Sequence, residues 1–385
     1  MNIALIALSR SGKQITPPLT LAYMATLLEQ RRHIVRIYDS ALTPDQPLRS
    51  AFQQLRGFRP QVVVVAGNSI EGLSEAAQAF QQEDQRCTLL PLQLRSDDLD
   101  AGWVCSSVAK WFERHNVGRT SRSDILLPIA NGTLDQLPFP ARHLLSLEGY
   151  NLRAAGGELQ TTLLVGGRAS ASDELMVLRT PAQIIAELRS VSHEFGLRHY
   201  LFPGIPLTID RAWLYELLTR LVDASLNVHW EAIVEPELLD EALIAHMGRA
   251  GCEMVHFNLD GAKVFDTSAA RDELRHVVSY FRQHNIYTRA EVKLEPVYEA
   301  IARLVDVAAT FGLDDVRFSA VDPSAAGPNL PNLEDIARKR YDEGRDRQKY
   351  IDRFGTTLGN LIWRLRGPRQ TSSFSNLSED QERAV

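Results

Sequence analysis

Four carboxylates in the second half of the chain, Glu231, Glu235, Asp260 and Glu291, sit in or just after short apolar runs of the kind that form strands. Gathered on one face, they would raise one another's pKa values and could act as general acids and bases, or seat a cation or an amine. Glu231 and Glu235 are four positions apart, so both point the same way if one strand carries them. The plainer alternative is a set of solvated or salt-bridged carboxylates. His193, His199, His229, His246, His256, His276 and His284 are scattered, with no HxH or HExxH spacing and none at ligand distance from a cysteine, so no metal site is expected. His229 and His256 belong to neighbouring expected strands and can meet across a sheet; otherwise they are ordinary core or edge histidines. His33 reads as a turn residue ahead of a strand.

The stretch Thr161-Thr-Leu-Leu-Val-Gly-Gly-Arg-Ala-Ser-Ala-Ser172 reads as a short buried strand entering a loop of small residues. In strand–helix repeat barrels the loops after strands carry the chemistry. This loop has no Cys, His, Asp or Glu before Asp173. Ser9-Arg-Ser-Gly-Lys13 lacks the first glycine of a phosphate loop and the Ser/Thr after its lysine, and no Gly-x-Ser-x-Gly or dinucleotide fingerprint occurs.

Composition sets the frame for these residues. A chain of 385 residues with 44% hydrophobic and 23% charged residues reads as a soluble globular protein of two ordinary domains. A net charge of −6 gives no general attraction to nucleic acid or acidic membranes. Three separated cysteines, Cys87, Cys105 and Cys252, argue against a disulfide framework and fit a reducing compartment. No basic, apolar leader and no run of about 18–20 apolar residues is present, so a cytoplasmic protein is expected.

The elements follow from periodicity. Residues 2–8, 33–38 and 61–66 read as strands, with helices over 19–31, 48–56 and 71–82 between and after them. This βαβαβ order implies a doubly wound sheet with its ligand side at the strand C-termini. Residues 83–130 hold one more apolar stretch (88–94), an acidic patch at Asp97, Asp98 and Asp100, and a helix over 104–115. Leu137-Pro-Phe-Pro-Ala-Arg142 is a proline-fixed extended segment near the expected domain boundary. Strands are then expected at 160–165, 198–202, 228–234, 253–259, 286–293 and 315–320. Helices at 181–195, 209–224, 237–250, 269–284 and 297–311 separate them, with start signals at Thr180-Pro181, Thr208 with Asp210, and Asp266 with Thr267. Six βα units describe an open, partial barrel, closed by helices near 333–350 and 354–365. Residues 338–369 carry ten Lys/Arg against four Asp/Glu, with Tyr341, Tyr350, Phe354 and Trp363 interleaved. That pattern suits either the outer face of helices packed on the barrel or a surface for an acidic partner, nucleic acid included.

Thr16-Pro-Pro-Leu-Thr-Leu-Ala-Tyr-Met-Ala-Thr-Leu-Leu-Glu29 with His33–Asp39, Leu137–Arg142, and Leu238-Leu-Asp-Glu-Ala-Leu-Ile-Ala-His-Met-Gly-Arg-Ala-Gly-Cys252 occur in a telling order and spacing. Together they resemble the cobalamin-binding radical S-adenosylmethionine (radical SAM) family over nearly the whole chain. The resemblance implies an α/β fold. An N-terminal doubly wound, Rossmann-like domain of the cobalamin-binding type would span 1–130 and a linker 131–159. A partial (β/α)6 barrel of the radical SAM type would follow at 160–325, then a helical closure at 326–369 and a polar tail at 370–385. In that family a CxxxCxxC loop after the first barrel strand holds a four-iron cluster that binds and cleaves S-adenosylmethionine. Here the corresponding loop is Val165–Ser172, with Gly166, Gly167, Arg168 and Ser170 as its degenerate remnant.

Four further positions depart from the family pattern. Pro203-Gly-Ile-Pro206 replaces acidic residues, Glu235 stands where an arginine is usual, Asn258-Leu-Asp-Gly-Ala262 replaces Gly-Val-Glu-Ser-Gly, and Lys293-Leu-Glu-Pro-Val-Tyr298 replaces a glycine-rich turn. Five altered sites together imply that neither the cluster nor S-adenosylmethionine is bound. For cobalamin, the resemblance offers Pro17, Pro18, Asn68 and Ser69 as corrinoid contacts. The Asp-x-His-x-x-Gly signature and the Gly-Gly turn after a fourth strand are missing, and residues 88–102 hold only Leu90-Pro91 and Ala101-Gly102 there. Three readings follow. The chain is a non-catalytic pseudoenzyme, paired with an active radical SAM enzyme or another pathway protein. Alternatively it is a cluster-independent enzyme, doing methyl transfer or acid–base chemistry through Glu231, Glu235 and Asp260. The third reading is a corrinoid carrier or sensor. A small-molecule ligand fits all three; a membrane does not, and nucleic acid is not expected.

Overall fold

A computed structural model describes residues 1–8, 16–43, 57–67, 72–76, 88–93, 134–135, 137–150, 152–154, 156–168, 176–259, 267–294, 298–320 and 330–366, together with 55 and 78. The chain divides into two compact units, Met1–Ile205 with Ile209–Trp230, and Pro206–Thr208 with Glu231–Val385.

The first unit opens on strand β1 (Asn2–Ala7), helix α1 (Leu19–Gln30), β2 (Ile34–Asp39), β3 (Val62–Gly67) and β4 (Thr88–Gln93). They form a parallel sheet in the order β2-β1-β3-β4, in which β1 aligns Ile3 with Val35 on one side and with Val62 on the other. The apolar residues of β1 alternate between two cores. Ile3, Leu5 and Ala7 pack with Leu21, Met24 and Leu28 of α1, whereas Ala4 and Ile6 pack with Leu55, Phe58, Leu73 and Ala76. Burial on both faces is what a continuous apolar strand buys, at about 1.5–3 kcal/mol for each large side chain. The strand order reverses direction between β1 and β3, the place where doubly wound sheets open a crevice at their C-terminal edge. Of the helices expected at 48–56, 71–82 and 104–115, the described residues reach only Leu55 and part of the second; the rest lies outside them.

The remaining elements are β5 (Gln160–Thr162), β6 (Gly166–Arg168), β7 (Met176–Leu178), α2 (Pro181–Phe195), β8 (His199–Phe202), α3 (Arg211–Ala224), β9 (His229–Ile233), α4 (Glu241–Arg249), β10 (Cys252–Leu259), α5 (Ser268–Gln283), β11 (Tyr287–Leu294), α6 (Tyr298–Ala308), β12 (Asp315–Ala320), α7 (Leu330–Phe354) and α8 (Thr356–Arg366). Six of the strands form a sheet in the order β12-β11-β10-β9-β8-β5, each adjacent pair in the barrel region joined through a helix, as expected of an open (β/α)6 sheet. β5 runs parallel to β8, β10 to β11, and β11 to β12.

Local chemistry sets the helix boundaries. Thr180 accepts from the backbone N–H of Gln183 ahead of Pro181, and Gly196 at φ 69° ends α2. Thr267 caps α5 through Ala270 N–H, as expected, while its expected companion Asp266 lies outside the described residues. At α3 the cap is Asp210 alone; Thr208 instead accepts the backbone N–H of Glu235 at 3.0 Å. α4 starts at Glu241, later than residue 237, because Asp240 caps it and Pro236–Leu238 forms a separate 3-10 turn.

Candidate functional site

The loop expected after the first barrel strand is partly strand. Leu163, Leu164 and Val165 are buried, and Gly166–Arg168 pairs antiparallel with Met176–Leu178. A Cβ on Gly166 would lie 2.7 Å from the Val177 carbonyl oxygen and 2.8 Å from Ile205 and Leu178 side-chain atoms, so the ribbon closes only around glycine. Ser170 lies outside the described residues, as does the side chain of Arg168.

Beneath this ribbon the first unit holds a buried ion triad. Glu187 of α2 is fully buried and meets Arg142 Nη1 through Oε1 and Arg179 Nη1 through Oε2, both at 2.6 Å. Arg142 comes from the proline-fixed segment and also donates to the Thr162 carbonyl at 2.7 Å; Arg179 donates to that of Leu164 at 2.9 Å. Burial pushes the Glu187 carboxyl up, but the two guanidiniums outweigh it and hold the group below the usual carboxylate range. Arg142 thus ties the segment to the first barrel strand and the helix after it, which makes the triad an anchor rather than a reactive centre.

The second unit carries the polar face. On β10, Phe257 packs against Phe281 of α5 with ring centroids 5.7 Å apart, so Val255, Phe257 and Leu259 face the helices. Met254, His256 and Asn258 face the other way. His256 Nε2 meets Glu231 Oε2 on β9 at 3.1 Å. In register with His256 stands Arg289 of β11, and in register with Arg289 stands Asp315 of β12. Asp315 accepts from Arg289 Nε at 2.9 Å and from Arg338 Nη1 of α7 at 2.6 Å. The result is a polar row, Glu231–His256–Arg289–Asp315–Arg338, across four strands and a helix. Desolvation raises the Asp315 carboxyl, yet its bonds to Arg338 and Arg289 hold it below the ordinary range.

Of the four carboxylates, the described residues place Glu231, Glu235 and Glu291 at separate positions. Glu231 is buried in β9, but β9 ends at Ile233 and Glu235 is exposed at the start of the following turn. Glu291 is exposed in β11, in register with Asn258 and Arg317, and Asp260 lies outside the described residues. Each carboxylate of the row has a hydrogen-bond partner, Glu231 in His256 and Asp315 in Arg289 and Arg338, which lowers the cost of partial burial. His229 stacks on His199 within the first unit, centroids 4.8 Å apart at 14°. His256 stands out in the sequence, but Arg289, Asp315 and Arg338 belong to no motif, because what joins them is register between strands far apart in sequence. Alternation is the available signal at His256, which interrupts the apolar run Met254–Leu259.

Among the corrinoid candidates, Pro17 and Pro18 are buried at the N-terminus of α1, with their carbonyls accepting from Leu19 and Ala22 N–H. Asn68 and Ser69 lie outside the described residues. Among the described residues no group of three or more His, Cys, Asp or Glu could hold a metal ion, and no helix is long and apolar enough to cross a membrane.

No protein-family model matches the sequence, and no curated protein does. Solved structures do match the fold. One is TsrM from Kitasatospora setae, a radical S-adenosylmethionine methyltransferase with cobalamin and a 4Fe–4S cluster bound: TM-score 0.56, 14% identity, 83% of this chain and 74% of that one. Another is OxsB, a cobalamin-dependent S-adenosylmethionine radical enzyme with aqua-cobalamin and S-adenosylmethionine bound: TM-score 0.55, 10% identity, 91% of this chain and 56% of that one. The chain therefore has the fold of cobalamin-dependent radical SAM enzymes, a Rossmann-like sheet followed by a partial barrel. At such identities the likeness is one of fold.

Proposed function

We propose that this protein is a ligand-binding, non-catalytic member of that fold, working as a partner subunit beside an active radical SAM enzyme in a biosynthetic pathway. The observation that carries the reading is the donor set. A four-iron cluster of this kind takes three thiolates after the first barrel strand, and Leu163–Ser172 contains none. Cys252 offers no substitute. It starts β10, its Sγ lies 3.7 Å from the Met254 carbonyl oxygen, and burial raises its thiol well above the usual value. Cys87 and Cys105 belong to the first half of the chain and lie outside the described residues. The residues present do not fit the cluster, so no step is assigned to it. Reconstitution of the purified protein with iron and sulfide under anaerobic conditions tests this: no stoichiometric absorption near about 400 nm and no matching iron content is expected. A full cluster complement would overturn it.

The switch point between β1 and β3 and buried Pro17 and Pro18 suit a nucleotide-like ligand. The segment after β4, Leu94–Asp100, supplies three carboxylates and no glycine for close approach. Hydroxocobalamin should therefore neither shift its spectrum nor be retained on gel filtration with the protein; co-elution would restore the carrier reading.

A second reading is favoured by the Glu231–His256 hydrogen bond. Glu231 holds the His256 ring through Nε2, and among the described residues Nδ1 has no hydrogen-bond partner, the arrangement of an oriented general base. The scaffold would then do acid–base chemistry without a cluster. Its substrate affinity or turnover would depend on both residues.

A further inference from the structure

The C-terminal helices hold a cleft of about 630 Å³, lined by residues of α7 and α8 that take no part in the polar row. That volume falls within the roughly 300–1,000 Å³ of small-molecule sites. Gly355, at φ 77°, turns α7 back into α8. The helices then cross closely at Gly359, where a Cβ would lie 2.6 Å from Ile351 Cα and the Tyr350 carbonyl oxygen. Glycine there lets Trp363, one turn on, stand beside Tyr350, with ring centroids 6.0 Å apart at 46°. Both rings are half-buried, unlike Tyr341, which is 1% exposed and packs edge-on against Phe318 of β12. Tyr341 thus anchors α7 to the sheet, whereas Tyr350 and Trp363 keep ring surface open to the cleft.

Cations line the same cleft. Lys349 and Arg353 stand one turn apart on α7, flanking Tyr350. Arg353 lies over the Phe354 ring, 5.3 Å from its centroid. Lys349 pairs with Asp346 at 2.9 Å, with both side chains more than half exposed, and a bridge so solvated is readily exchanged for a ligand anion. α8 contributes Ile362 and Trp363 to the lining, and Asp346 is the lining's one carboxylate among the described residues. Open aromatic surface beside paired cations is the chemistry that holds a planar ring bearing a negative group.

We propose that the α7–α8 cleft binds a small aromatic anion, a planar ring carrying a phosphate or a carboxylate, with the ring on Tyr350 and Trp363 and the anion on Lys349 and Arg353. The proposal stands whether or not the chain binds a cluster, because no residue of the barrel loop takes part.

Calorimetric titration of the full-length protein with AMP and with indole-3-acetate tests it and separates the two anions. At least one should bind saturably, with affinity falling as salt rises. Adenosine and inorganic phosphate, each half of the recognised group, should bind at least about tenfold more weakly than AMP if phosphate is the anion. The exposed pair K349A/R353A should lose about tenfold or more and the salt dependence with it, while circular dichroism stays unchanged. W363L should lower affinity by a similar factor. Saturable binding of neither probe overturns the proposal. So does binding that K349A/R353A leaves intact.

Discussion

Glu231 and His256, 25 positions apart in sequence, meet at 3.1 Å on neighbouring strands with the carboxylate nearly buried and the imidazole about one-quarter exposed. A carboxylate can only accept, so the proton of a neutral His256 resides on Nε2 and leaves Nδ1 as the open lone pair. Nitrogen-15 NMR of histidine-labelled protein should show the Nε2–H tautomer at His256. In E231Q, whose amide can donate as well as accept, the tautomers should mix, and stability should fall by about 1–2 kcal/mol. A dominant Nδ1–H form in the unmodified protein would remove the basis for acid–base chemistry on this face.

The Arg142–Glu187–Arg179 triad should be the strongest single electrostatic contribution to the first unit. Replacing Glu187 with Gln leaves two buried guanidiniums facing a neutral group, at a cost of about 3–5 kcal/mol. The pH dependence follows from the lowered Glu187 carboxyl. A group depressed in the folded state stabilises fully above its unfolded pKa of about 4.3, and that contribution is lost as pH falls through the lower folded value. Acid unfolding of the unmodified protein should therefore lie below about pH 4.3, while E187Q should start from a lower stability and show a shallower dependence there. Equal acid profiles for the two proteins would show that the triad does not control the transition.

Arg338 joins Tyr341 in tying α7 to the sheet edge, through Asp315 Oδ1 at 2.6 Å and the Val316 carbonyl at 2.7 Å. Arg338 is 42% exposed, so solvent screening keeps its contribution small. R338M should cost about 1 kcal/mol, because the aliphatic stem persists while Asp315 keeps Arg289 alone. Its local signature is sharper: backbone amides of α7 should exchange faster with deuterium while those of α4 and α5 do not change. Unaltered protection across α7 would mean that Tyr341, buried against β12, holds the helix by itself.

The barrel was legible because most of its strands hold apolar runs and four of its helices start on side-chain caps, Thr180, Asp210, Asp240 and Thr267. Thr180 and Thr267 act as their positions promise, and α2 occupies the expected residues. Positions near turns were less legible. Gly166–Arg168 looked like loop because small residues have weak strand preference, whereas pairing with Met176–Leu178 fixes it. The polar row was hidden for a different reason. Glu231 stood out as a carboxylate in a strand, but its partner depended on a register between strands that no spacing rule encodes. The triad was hidden likewise, since Arg142, Arg179 and Glu187 come from three elements joined only by folding.

Gly166 gives the ribbon a test at a single atom. G166A places a methyl group 2.7 Å from a carbonyl oxygen and against two side chains. Overpacking of this kind costs about 1–3 kcal/mol. The loss should appear as faster amide exchange in Gly166–Arg168 and Met176–Leu178. A variant as stable as the parent would show that β6 and β7 can part without cost, and that the segment is free to adopt an open loop.

Cys252 supplies the last test, which bears on whether any thiolate is available for iron. Its sulfur is buried in β10, and burial, helped by nearby Glu231 and Glu253, raises its thiol well above the usual range despite the contact with the Met254 carbonyl. The thiolate is the species that both alkylates and binds metal. Iodoacetamide at mildly alkaline pH should leave Cys252 unmodified in the native protein and label it fully in denaturant, read by mass spectrometry of its peptide. Rapid native labelling would mean that β10 opens or that the thiol is ionised, and Cys252 would then return as a donor for iron.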